Sequence, residues 1–156
     1  MTTLINDPLA AYSDATLEGA PQADVQEYRC VTTVTKGEAV KVAVSSGVFT
    51  VSQATAATDA IVGVAAESVV GTSAIPVPLK VVVSGPALAQ TADADTDAGD
   101  WVQPTTGGRY TTATTAAISA ANGKTLGYTL EATVAADATA GDLKWIWVQP
   151  SLIAVT

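Results

Sequence analysis

Histidine is absent from this chain, and cysteine, methionine and phenylalanine occur once each. Without His, neither a Ser-His-Asp nor a Cys-His nucleophile can be assembled, and a His-ligated zinc site is excluded; a single Cys rules out an all-cysteine zinc site as well. Cys30 cannot form an intrachain disulfide, and its place in the strand-like run EYRCVTT fits a small buried hydrophobe in a reducing compartment. Positive charge is also scarce. Seven Lys and Arg stand against 15 Asp and Glu for a net charge of -8, and Arg29, Lys36, Lys41, Lys80, Arg109, Lys124 and Lys144 are scattered along the chain. There is thus no electrostatic footprint for a phosphate backbone, and the net charge favours solubility while repelling DNA and anionic membranes. No uninterrupted apolar run approaches the about 20 residues needed to span a bilayer. The first 22 residues, MTTLINDPLAAYSDATLEGAPQ, carry neither the basic region nor the apolar stretch of a secretory signal. The expectation is a soluble chain with no nucleic-acid or membrane partner.

Hydrophobic residues nevertheless make up 48% of the chain while Phe, Trp and Tyr reach only 5%, so any core must be assembled from Ala, Val and other small side chains. That composition favours strands over helices. Short β-branched runs such as AVKVAV, GVFTV, IVGVA and LKVVV are separated by Gly, Pro, Asp or Asn, a spacing that predicts a small barrel or sandwich.

The runs also recur in order. KGEAVKV, GVFTVSQAT, IVGVAAESV and PLKVVVSGP, within residues 36–86, are answered by AGDWVQP, GRYTTATTA, TLGYTLEATV and DLKWIWVQP, within residues 98–150. Gly37 and Gly99 lie 62 apart, Gly47 and Gly108 61, and Gly63 and Gly127, Glu67 and Glu131, and Lys80 and Lys144 each 64. On this alignment Phe49 matches Tyr110. The expected fold is therefore all-β, a barrel or sandwich built from two repeats of about four short strands spanning residues 25–156. Residues 1–24, with Pro8 and Pro21 and no strand periodicity, read as an extended arm. Asn122-Gly123 is the clearest hairpin turn, and Thr111 to Asn122 reads as strand and loop in preference to helix.

Three places merit a chemical reading. In Ala92 to Asp100, Asp93, Asp95 and Asp97 alternate as the first ligands of a calcium loop would, but Gly99 falls one position late and Pro104 stands where a bidentate Glu is required, so a turn is expected. Gly123-Lys124-Thr125 resembles the end of a phosphate loop, yet Ile118 stands where that loop needs Gly. Glu67 and Glu131 could pair as the acid and base of a glycosidase, though equivalence within a repeat explains them more simply. Trp145 and Trp147, two apart on one strand, must share a face, which suits core or subunit packing. No catalytic, cofactor or metal site is expected, and the chain does not read as an enzyme.

The order of motifs, with an N-terminal arm, KGEAVKV, GVFTVSQATAATDAIVGVAAESV, VVVSGPA, AGDWVQPTTGGRYT and NGKTLGYTLEA before a last hydrophobic strand, resembles the bacteriophage capsid cement, or head decoration, proteins over about residues 25–150. The resemblance implies a β-barrel-like subunit that assembles as a homotrimer on the outer surface of a virion head, with the major capsid protein as partner, after synthesis in the host cytoplasm. It also implies that the arm reaches onto the shell, with Leu4, Ile5, Leu9 and Tyr12 as apolar anchors. The alternative is a carbohydrate-binding or adhesin-like β module, which would place Trp101, Tyr110, Tyr128 or the Trp145-Trp147 pair on an exposed face.

Overall fold

The computed structural model describes residues 22–92, 96–113, 124–132 and 140–152. Leu4, Ile5, Leu9 and Tyr12, Asp93 and Asp95, and the Asn122-Gly123 dipeptide lie outside the described residues. The chain is all-β: β1 (Asp24–Cys30), β2 (Thr33–Val34), β3 (Ala39–Ser45), β4 (Val48–Gln53), β5 (Ile61–Ala65), β6 (Val69–Val70), β7 (Val77–Gln90), β8 (Trp101–Pro104), β9 (Tyr110–Thr112), β10 (Lys124–Thr129) and β11 (Leu143–Leu152), with a 3-10 turn at Thr106–Gly108. Strands β2 and β6 form a separate small pair.

The remaining strands close two circuits. In the first, β1, β4, β3, β5 and β7 pair in that order, and β7 returns to β1; all pairings are antiparallel except β1 with β4, which meet in parallel at Cys30 and Val51. In the second, β7, β11, β10, β8 and β9 follow one another, and Thr91, just past β7, bridges in parallel to Tyr110 of β9. Closing a sheet on itself removes the unpaired edges that an open sheet would expose. Strand β7 belongs to both circuits, pairing with β1 through residues 77–84 and with β11 through residues 85–90. Sequence patterning ends this strand at Pro86 and begins each unit one strand too late. Gly85, at φ 95°, lets the chain bend there, and Pro86 continues opposite Trp147.

Strand order β4-β3-β5-β7 in one circuit matches β9-β8-β10-β11 in the other, and backbone hydrogen bonds match individually. Gly37 N–H donates to Ala65 O as Gly99 N–H does to Thr129 O, Ala65 N–H to Glu38 O as Thr129 N–H to Asp100 O, and Ala54 N–H to Ala39 O as Ala113 N–H to Trp101 O. The same bonds revise the alignment in two places. Val31 N–H donates to Val51 O as Ala92 N–H does to Tyr110 O, so Tyr110 takes the place of Val51 and not of Phe49. Likewise Ala66 bonds Lys80 O as Leu130 bonds Trp145 O, so the two Leu-Lys dipeptides are one residue out of step.

Each circuit has its own core. Cys30, Val40, Val51, Leu79 and Val81 fill the first; Ala87, Ala89, Val102, Tyr110, Leu126, Ile146 and Val148 fill the second. Adjacent residues of a strand face opposite sides. In β3, β5 and β7 both faces are covered: Val40, Ala65 and Val81 point into the first core, while Ala39, Val64 and Val82 join the second. The outer wall of the first circuit is thus a side of the second core. A two-residue turn at Ser46-Gly47, with φ of 53° and 77°, joins β3 to β4, the positive pair that a type I′ hairpin requires.

Gly63 and Gly127 occupy matching positions where a neighbouring backbone crosses closely, against the carbonyl oxygens of Val82 and Trp147. Gly63→Ala would drive a methyl group into the Val82 carbonyl and should lower stability by about 2–3 kcal/mol. Gly99→Ala meets no atom within 4 Å but sits at φ 93°, and should cost only about 1 kcal/mol. Urea unfolding at neutral pH checks the order; equal losses would contradict the close crossing at Gly63.

Candidate interaction surfaces

Of the polar positions singled out by sequence, Glu67, Glu131 and Asp97 serve the fold. Glu67 Oε1 accepts the Lys80 N–H at 3.0 Å, and Glu131 Oε1 accepts the Trp145 N–H at 2.7 Å. The two carboxylates each staple the last strand of their own circuit and form no pair with one another. At Asp97 the backbone N–H donates to Asp100 Oδ2 at 2.9 Å, the Asp100 N–H returns to Asp97 O at 3.1 Å, and the Thr129 hydroxyl donates to Asp97 O. This is a turn capping β8. Lys124 begins β10. Among the described residues no group of three or more Asp, Glu or Cys is placed to hold a metal ion. Buried Cys30 donates its thiol to Thr32 O at 3.2 Å.

One charged cluster was not visible in the sequence. Asp59 accepts the N–H groups of Thr55 and Ala56, at 2.7 and 2.9 Å, and the Lys41 ammonium at 3.1 Å, tying the loop after β4 to β3. Partial burial acts to raise its carboxyl pKa, but the backbone bonds and Lys41 outweigh it and hold the group below its ordinary value.

Two exposed apolar patches stand out among the described residues. Strands β8, β10 and β11 carry a row of aromatics in register, Trp101, Tyr128 and Trp147. The Trp101 and Tyr128 rings meet edge to face at 5.7 Å, and Tyr128 and Trp147 lie near parallel at 6.3 Å. Their neighbours Val102, Ile146 and Val148 point into the core, so the row faces outward, with Trp101 39% exposed and the other two half-buried. Trp145 shares that face and, with Ala23, Pro86, Leu88 and Lys36, lines a groove of about 200 Å³. Trp145 and Trp147 do share a side, as their spacing requires, but outside the core. Tyr110, by contrast, is fully buried.

A second apolar patch sits at the end of the β3–β4 hairpin. The inward stripe of β3 runs from buried Val40 to Val42 and then to Val44, the last 71% exposed, opposite Phe49 at 51%. Phe49 touches Tyr28 at a ring separation of 5.8 Å, and Val48 adds a further exposed side chain. The hairpin extends past its circuit and carries the core stripe into solvent.

No protein-family model and no curated protein matches this chain. Among solved structures it is similar to the N base of the head fiber gp8.5 of bacteriophage phi29, with a TM-score of 0.59 and 14% identity, over 82% of this chain and 95% of that one. The two share a fold.

Because the folded pKa of Asp59 is depressed, its stabilisation is complete above the unfolded carboxylate range, about pH 4, and is lost as pH falls through the folded pKa. Asp59→Asn should therefore lower the urea midpoint at pH 7, and the gap from the parent should narrow as pH falls below the ordinary carboxylate range through the folded pKa. A gap unchanged over that fall would assign the effect to packing.

Proposed function

We propose that this chain is a non-enzymatic structural protein of a bacteriophage head. In this reading it sits as a homotrimer on the outer capsid surface and braces neighbouring copies of the major capsid protein. The observation that carries the proposal is the fold shared with a head fiber base over 95% of that base. The ordered motifs of residues 25–150, which resemble capsid cement proteins, support the same reading from the sequence side. Its chemistry is compatible with the role: a net charge of -8 keeps a densely packed exterior protein soluble and away from DNA.

A cement must hold many copies against a shell without a reacting group, so its contacts need area and fit more than charge. Exposed apolar side chains outside the aromatic row and the β3–β4 hairpin, Val25, Val70 and Ile75 among them, offer such contacts. The resemblance also assigns the arm of residues 1–24 to the shell.

Co-sedimentation with capsids of the phage that encodes the chain tests this directly. Binding should saturate, and the free protein should sediment near three times 15.6 kDa. Affinity should change little between low and high salt, since apolar contacts are not screened. Failure to co-sediment at any protein concentration would overturn the capsid role, and a steep salt dependence would replace apolar docking with charge docking.

A further inference from the structure

The matching of the two circuits makes it possible to ask which surfaces are covered in one and bare in the other. Trp101, Tyr128 and Trp147 occupy the positions that Ala39, Val64 and Val82 occupy in the first circuit: Val64 pairs with both Ala39 and Val82, as Tyr128 does with Trp101 and Trp147. The first row is buried, at 0, 1 and 7% exposure, because the second circuit packs its core side chains on it. Among the described residues no second circuit packs on the second row, where Trp101 is 39% exposed and Tyr128 and Trp147 are half-buried.

The turns tell the same story. Gly37, beside the covered row, is buried against Gln90 and Leu143 and accepts the Gln90 N–H at 2.8 Å; its counterpart Gly99, beside the bare row, is exposed with no atom within 4 Å of an added Cβ. On the covering side, the turn between β8 and β9 is seated on the first circuit, where Gly108 donates to Ala54 O at 2.8 Å. The corresponding turn, Ser46-Gly47 between β3 and β4, has no atom within 4 Å of a Cβ added at Gly47 and carries exposed Val44, Val48 and Phe49 beside it. Among the described residues, one molecule therefore holds a wall and a hairpin packed on each other, and also a wall and a hairpin that no other circuit packs against.

We propose that the row Trp101–Tyr128–Trp147 is covered by the β3–β4 hairpin end of a second copy of this chain, head to tail, repeating between molecules the contact its two circuits make within one. Such a contact is heterologous. It closes into a ring when the rotation per step allows, and otherwise propagates. The aromatics suit this role, since Trp and Tyr dominate binding energy where interfaces exclude water.

Sedimentation of the full chain over a concentration series, without capsids, tests the contact separately from the head role. The parent should self-associate, and Trp101→Glu or Val44→Glu should each weaken association by about thirtyfold or more with the fold retained by circular dichroism. Should Trp101→Glu unfold, Trp101→Ala reads the same loss. Mixing the two variants is decisive: Val44→Glu keeps an intact wall and Trp101→Glu an intact hairpin, so together they should form a 1:1 dimer that grows no further. A mixture that stays monomeric, or single variants that assemble like the parent, would overturn the proposal. So would a monomeric parent whose Trp101→Glu variant loses capsid binding or a glycan-array signal, which would give the row to that other occupant.

Discussion

Strand β7 is the constraint on which the molecule depends. Its 14 residues serve as the last strand of one circuit and the first strand of the next, so neither sheet closes without it. Leu79 and Val81 sit in one core, Ala87 and Ala89 in the other, on a single run of backbone bent at Gly85. Sharing a strand fixes the two circuits at close range and forces the outer wall of the first into contact with the second. That contact lets Ala39, Val64 and Val82 be buried although they point away from their own core. Two small circuits that would each be short of apolar burial are thereby combined into one unit with a wall counted on both faces.

The scarcity of large side chains then becomes intelligible. A wall packed on both sides leaves room for Ala and Val, and Gly63 and Gly127 are required where strands cross most closely. Bulky residues are displaced to surfaces. Apart from Tyr110, buried in the second core, the aromatics of the described residues lie half-buried or exposed on outward faces and rims.

Much of this was legible in the sequence. β-Branched runs at about ten-residue spacing gave the all-β class, and the Gly37 and Gly99 turns are seen in matching hydrogen bonds. What escaped was register. The β3–β4 hairpin has six residue pairs and the β8–β9 hairpin three, so aligning Phe49 with Tyr110 by aromatic character placed a solvent residue against a core one. Similarly, the two Leu-Lys dipeptides drew the last strands one residue out of step, because side-chain likeness is a weaker guide than the backbone bonds to Glu67 and Glu131. The role of Asp59 was invisible because its partners, the N–H groups of Thr55 and Ala56, carry no side-chain signature. The expectation that Leu4, Ile5, Leu9 and Tyr12 anchor the arm rests on resemblance alone, and these four lie outside the described residues.

The difference between the two matching rows follows from how each would be covered. Within one chain the second circuit is held beside the first by β7, so its effective concentration at Ala39, Val64 and Val82 is high and little contact energy is needed to keep it there. A second molecule enjoys no such tether. It must overcome the loss of translational and rotational freedom, which costs several kcal/mol, from the contact itself. Small side chains that suffice at a tethered wall would give too weak a joint at an untethered one. Trp101, Tyr128 and Trp147 bring far more apolar area to the same three positions, at little cost in side-chain entropy. On the proposed contact, the replacement of Ala, Val and Val by three aromatics is what a joint made from solution, without a tether, requires.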